Sequence, residues 1–217
     1  MTCVAIVAGG PKSLLANLKQ YNQRADYWIG CDQGAQYLLD YEQPIDLAIG
    51  DFDSVSADHL TVIKQHANQC AVYPIEKDLT DLELAVEHAM TLAPKEILIF
   101  GVTGGRLDHE LASLFLLTKL VDRDVKVTII DTQNEMTIYN PGHYQITKHP
   151  FFNKVSFLAL SNEVIGLTLK GFYYPLVDHT LQLGDSLALS NHLISNCGTF
   201  SFKTGILIVI KSSEQNH

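Results

Sequence analysis

Through roughly residue 125 the chain alternates short, dense apolar runs with longer amphipathic stretches, and this alternation restricts the fold more than any other feature. CVAIVAG, DYWIG, DLAIG, CAVYP and EILIFG are each short and rich in Val, Ile or aromatic residues. Such runs suit strands buried on both faces of a parallel sheet. Between them lie helical patterns. Leu82, Ala85, Val86 and Ala89 recur at i, i+3, i+4 and i+7 in residues 78–92, and Leu107, Leu111, Leu114 and Phe115 form a similar stripe in 107–121. Strand–helix alternation predicts right-handed βαβ units and an open, mainly parallel sheet flanked by helices.

Beyond that point the pattern changes. KVTIID, EMTIYN, KVSFLAL, VIGLTLKG, TLQLG, GTFSFK and GILIVIK are short segments broken by Gly, Asn, Pro and Asp. They predict an antiparallel all-β sandwich. The expected domains are therefore 1–142, α/β, and 143–217, a β-sandwich.

Composition narrows the partners. A formal net charge of −9 argues against nucleic acid, whose phosphates need a basic surface. No run approaches the roughly 18 apolar residues of a membrane span. MTCVAIVAGG has no positive leader and reads as a first strand rather than a signal peptide. Cys3, Cys31, Cys70 and Cys197 are scattered, without metal-site spacing. Free thiols in a reducing cytoplasm are expected.

In open α/β sheets, ligands bind beyond the carboxyl ends of the strands, and three such ends are unusual. In Asp46-Leu-Ala-Ile-Gly-Asp-Phe-Asp-Ser54 a buried strand runs into Gly50 and then presents Asp51 and Asp53. In extended backbone i and i+2 point to the same side. At ~4 Å and an effective dielectric near 20, two such charges repel by about 4 kcal/mol, so a cation between them is expected. Hard oxygen ligands without His or Cys favour magnesium. Helix capping near Ser56 can explain one of these acids but not both.

The second end is Lys77-Asp-Leu-Thr-Asp81. Asp78 and Thr80 are good N-cap candidates, and acids in a first turn suit the helix dipole, yet Lys77 adds a phosphate-seeking cation beside three oxygen ligands. In the third, Gly101-Val-Thr-Gly-Gly-Arg-Leu-Asp-His109, Gly104 and Gly105 let backbone N–H groups approach an anion at a helix N-terminus. Arg106 supplies a planar cationic fork for phosphate oxygens. Asp108 could orient Arg106 or reach a ribose.

Taken in order, GDFDS, KDLTD and GGRLDH resemble the motifs of thiamine pyrophosphokinases. Gly166-Leu-Thr-Leu-Lys-Gly171, Tyr174-Pro-Leu176 and Gly184-Asp-Ser-Leu-Ala-Leu-Ser-Asn191 resemble that family's β-domain, so the likeness covers nearly the whole chain. The resemblance implies a magnesium-dependent enzyme that moves the pyrophosphoryl group of ATP onto the hydroxyl of thiamine and releases AMP. It implies Asp51, Asp53 and Asp81 as metal ligands, with Thr80, Arg106 and Asp108 at the transfer site. Lys77, Asp78, Gly104, Gly105, Arg106 and His109 would bind ATP. Asp32 and Gly34 match the family's Asp-Gly-Gly turn, with Gln33 replacing its middle glycine. Ser190 and Asn191 would read the thiamine pyrimidine, although a plain turn between strands also accounts for them. A homodimer is implied, with the active site between the α/β domain of one subunit and the β-domain of the other. A magnesium phosphohydrolase of the haloacid dehalogenase type also opens on Asp-x-Asp after a strand, but GGRLDH and the β-domain have no place in it. A module that senses thiamine or nucleotide without turnover is the non-enzyme alternative.

Overall fold

The computed structural model describes residues 2–74, 76 and 78–213, which form two compact units, the first running up to Leu120 and resuming over Asp124–Thr132, the second made of Val121–Arg123 and the residues from Gln133 on. The first unit carries β1 (Cys3–Val7), β2 (Tyr27–Cys31), α1 (Gln33–Asp40), β3 (Ile45–Gly50), α2 (Ala57–His66), β4 (Ala67–Val72), α3 (Asp81–Thr91), β5 (Glu96–Phe100), α4 (Leu107–Leu116) and β6 (Lys126–Ile130). Within it the strands run parallel in the order β4-β3-β2-β1-β5-β6. The order reverses direction at β1, the kind of switch point where α/β sheets bind ligands.

β1, β2, β3 and β5 are buried almost throughout, as their unbroken apolar sequences require. β4 differs: it lies at the sheet edge with most residues exposed, and its Asn68 and Gln69 tolerate water. Trp28 is 2% exposed and stacks on Phe100 at 6.5 Å, as a core residue.

α3 buries Leu82, Ala85, Val86 and Ala89, the predicted face. α4 does not follow its apolar stripe. It buries Ser113 and Leu116, while Leu107, Leu111 and Phe115 face outward at 68%, 42% and 55% exposure.

The second unit pairs two antiparallel sheets. One has the order β7-β13-β9, from β7 (Asn134–Tyr139), β9 (Lys154–Ala159) and β13 (Leu207–Ser212). The other has the order β11-β10-β12-β8, from β8 (Gly142–Thr147), β10 (Glu163–Lys170), β11 (Leu176–Gln182) and β12 (Cys197–Phe202). Phe157 from the first sheet meets Phe200 from the second edge-on at 5.4 Å, inside a core that includes Leu167, Phe172 and Leu181. The expected boundary at residues 142/143 falls one strand later than the division between the units, because β7 pairs with β13. No helix among the described residues is long and apolar enough to cross a membrane.

Candidate active site

Two adjacent strands end on acids. β2 and β3 are paired with Cys31 opposite Ile49, so Asp32 and Asp51 emerge side by side. Asp32 turns sharply, at φ 45°, and its amide donates to the Ile49 carbonyl at 3.1 Å. Its Oδ1 accepts the Phe52 N–H at 2.9 Å. A Cβ on Gly50, at φ 149°, would lie 1.9 Å from that same oxygen. Glycine is needed there for the carboxylate to lie against the backbone.

Asp81, the first residue of α3, completes the group: carboxylate oxygens of Asp32, Asp51 and Asp81 lie within 4.8 Å of one another. The crowding shows in Asp32, whose carboxyl is pushed up to about 7. Burial contributes most, followed by a hydrogen bond with Asp81 and the negative charges of Asp81 and Asp51; the Phe52 N–H opposes them. Three oxygen donors packed this closely could hold a hard divalent cation.

Asp53 lies outside this group. Phe52 adopts φ 57°, which breaks the extended geometry that would have aimed Asp51 and Asp53 together. Asp53 is exposed, and its amide donates to Asp51 Oδ1 at 3.1 Å. Neither acid caps α2, because Ser56 does so by accepting the His59 N–H at 3.3 Å. The third carboxylate of this cluster is that of Asp32, and strand order is what brings it there.

Thr80 is a helix cap. It accepts the Glu83 N–H at 3.2 Å, while Glu83 Oε2 accepts the Thr80 N–H at 3.1 Å, a reciprocal capping box. Lys119 donates to the other Glu83 oxygen at 2.8 Å and, as the largest influence, holds that carboxyl below its ordinary range. Asp78 is exposed, and Lys77 lies outside the described residues.

The GGRLDH turn leads into α4. Arg106 donates to Asp108 through Nε at 3.2 Å and Nη2 at 2.7 Å, a two-point pair on the surface. The pair raises the guanidinium and lowers the carboxyl from their ordinary values. Gly104 does not present a free N–H to an anion, since Glu110 Oε2 accepts it at 2.9 Å. Gly34 is buried, and a Cβ there would sit 1.9 Å from the Val7 carbonyl oxygen. Its part is to let α1 pack on β1.

A cleft of about 770 Å³ gathers much of this chemistry. Gly9, Gly10, Asp32, Ser54, Thr80, Asp81, Glu83, Gly105, Arg106 and His109 line it. Anion-seeking and cation-seeking groups thus face one space large enough for a nucleotide. Glu83 was not singled out in the sequence; its spacing of three from Thr80 was the available signal.

In the second unit Ser190 is exposed, at φ 53°, and its amide donates to Ser156 Oγ at 3.0 Å. Asn191 is 1% exposed. Its Oδ1 accepts the Tyr174 N–H at 3.0 Å and the His192 N–H at 2.9 Å, and its Nδ2 donates to the Tyr174 carbonyl at 2.8 Å. The side chain therefore holds two backbone segments, with Oδ1 and one Nδ2 N–H engaged in that contact.

Two family models match. Residues 18–129 match "Thiamin pyrophosphokinase, catalytic domain", and residues 143–207 match "Thiamin pyrophosphokinase, vitamin B1 binding domain". A thiamine pyrophosphokinase of Bacillus subtilis (strain 168) is 44% identical over 215 residues, spanning 99% of this chain and 100% of that protein. A crystal structure of the Bacillus subtilis thiamine pyrophosphokinase superposes with a TM-score of 0.93 at 43% identity, covering 98% of this chain and 100% of that one. One from Geobacillus thermodenitrificans gives 0.90 at 39%, with 99% of each chain covered.

Proposed function

The chain belongs to the thiamin pyrophosphokinase family, and from that membership we infer that it transfers the pyrophosphoryl group of ATP to the hydroxyl of thiamine. The products are thiamine diphosphate and AMP. The observation that carries the reading is full-length identity of 44% to a thiamine pyrophosphokinase. The cleft supports it because Arg106 and the carboxylates Asp32 and Asp81 all line it.

Asp32, Asp51 and Asp81 would hold a magnesium ion, whose bound charge would neutralise the polyphosphate. The donor set fits: all three are hard carboxylate oxygens whose atoms lie within 4.8 Å of one another. Asp53, exposed next to Asp51, is a further candidate ligand. Arg106 would exchange Asp108 for phosphate oxygens, gaining a bidentate contact with the migrating group. Gly105 and His109 would close the phosphate side. The thiamine hydroxyl attacks the β-phosphorus in line. The new P–O bond forms as the bond to the α-phosphate oxygen breaks, AMP leaves with that electron pair, and the hydroxyl proton is released to solvent. Such transfers depend on positioning and charge neutralisation more than on covalent help.

Residues 1–142 would form the nucleotide domain and 143–217 the thiamine domain. Ser190 would meet the pyrimidine from the exposed turn that Asn191 shapes from beneath. We place the complete site between the first domain of one subunit and the β-domain of another. The outward stripe of Leu107, Leu111 and Phe115 supports a homodimer, since large exposed apolar stripes mark interfaces. The four cysteines, all free, support a reducing cytoplasm.

Incubation with ATP, magnesium and thiamine tests the reading. AMP and thiamine diphosphate should appear together. Phosphate without thiamine would indicate a hydrolase, and binding without products a sensor. Sedimentation should give a dimer, and mixing an Arg106→Ala protein with a Ser190→Trp protein should restore activity that neither has alone.

A further inference from the structure

The end of β6 carries a buried acid. Asp131 is 5% exposed, and its Oδ2 accepts the hydroxyl of Thr103 at 2.9 Å. Thr103 is the middle of the turn that delivers Gly105 and Arg106 to the cleft. A carboxylate in such surroundings is costly unless its partners make it worthwhile, so what it grips matters.

The turn is also held on either side of that point. Its start is fixed to the β1 side, where Gly10 N donates to the Gly101 carbonyl at 2.7 Å. Its end is fixed to α4 through the Gly104–Glu110 contact. Both ends pass through left-handed glycines, Gly101 at φ 69° and Gly104 at φ 76°. Residues between two such points have wide conformational freedom, and Thr103 is where a side chain removes it.

The next residue braces the opposite wall. Thr132 N donates to the Leu14 carbonyl at 3.0 Å, and Leu14 Cδ1 lies where a Cβ of Gly104 would be, 2.0 Å from that position. Two consecutive residues thus hold both sides of the turn, one by side chain and one by backbone.

We propose that Asp131 is a positioning residue for the transfer reaction, fixing through Thr103 the turn that presents Arg106 to the polyphosphate. The inference rests on the role given to Arg106 above. Asp131 touches no substrate, so its effect belongs to placement of the guanidinium rather than to chemistry of its own.

Four variants test it: Asp131→Ala, Asp131→Asn, Thr103→Val and the double variant Asp131→Ala/Thr103→Val. Asp131→Ala and Thr103→Val should each lower kcat by about 10–100-fold, the scale expected of a misplaced contact group. KM for thiamine should not move. The double variant should be no worse than Asp131→Ala alone, since the Thr103 hydroxyl acts through Asp131. Asp131→Asn, whose amide oxygen can still accept from Thr103, should keep most activity. Added to Arg106→Ala, Thr103→Val should cost nothing further. If Asp131→Ala does not fold, Thr103→Val carries the test, since it removes one hydroxyl oxygen and keeps the shape. Wild-type kcat in Thr103→Val, additive losses in the double variant, or a further loss on top of Arg106→Ala would each overturn the proposal. An active Arg106→Ala protein would instead overturn the reading of the cleft.

Discussion

Replacing Asp32 by Asn should make the metal-free protein more stable and the enzyme nearly inactive. At the 4.8 Å limit on the separations in the carboxylate group, and with an effective dielectric near 20, each pair of full charges repels by about 3 kcal/mol. Asp32 takes part in two such pairs. Its carboxyl is pushed up to about 7, so near neutrality it is already partly protonated and the relief is smaller, about 1–3 kcal/mol. Asn keeps the acceptor for the Phe52 N–H, so that contact survives.

The pH dependence has a definite sign. The folded carboxyl titrates above its unfolded value of 3.8. The wild-type protein in EDTA is therefore favoured below about pH 4 and loses that contribution as pH rises through about 7. Asp32→Asn should flatten this slope. Thermal unfolding in EDTA between pH 5 and 8, repeated with magnesium, measures both effects. Magnesium should raise the melting temperature of the wild type and scarcely that of the variant. AMP formation should fall at least about 100-fold, as when a preorganised electrostatic group is removed. A variant that is destabilised in EDTA at pH 8, or that turns over normally with magnesium, would refute the reasoning.

Three further outcomes follow from contacts outside the charge cluster. Gly34→Ala should cost more than about 3 kcal/mol or prevent soluble expression, because its Cβ would sit 1.9 Å from the Val7 carbonyl oxygen; chemical denaturation reads the loss. Asn191→Ala strands two backbone N–H groups and a carbonyl in a buried place, and should cost about 2–4 kcal/mol in the same assay. Native protein at pH 8 should react with a disulfide reagent at Cys70 and Cys197 while Cys3 and Cys31 stay blocked until denaturant is added; mass spectrometry assigns the sites. Burial, with Glu96 next, pushes the Cys3 thiol up to about 11, leaving almost no thiolate at that pH.

The sequence announced the strands of the first unit because they are buried on both faces and so carry unbroken apolar runs. It announced α3 because that helix has one wet face. α4 deceived the periodicity: Leu107, Leu111 and Phe115 make a good stripe, but one turned outward, and spacing cannot say which way a stripe faces. β8 passed unnoticed because GHYQIT offers only Tyr144 and Ile146 as apolar signal. At the site, the acids at strand ends were visible as residue types, whereas their convergence was not. Asp53 was included on the assumption of extended backbone, which the left-handed Phe52 violates. Asp32 needed the knowledge that β2 lies beside β3, and a linear reading has no access to strand order. Asn191 could be seen as polar, but only packing shows that its amide is turned inward.

The pairing of Cys31 with Ile49 has a consequence for how preparations are judged. A slip of one residue between β2 and β3 would shift Asp32 along Asp51 by about 3.3 Å and turn one of them to the other side of the sheet. Such a molecule would retain helices, sheet content and a compact radius, and spectroscopy would count it as folded. Only turnover, or a cation-dependent rise in melting temperature, would count it as wrong. In refolding or expression trials, specific activity per milligram therefore reports on strand register as well as on helix and sheet content.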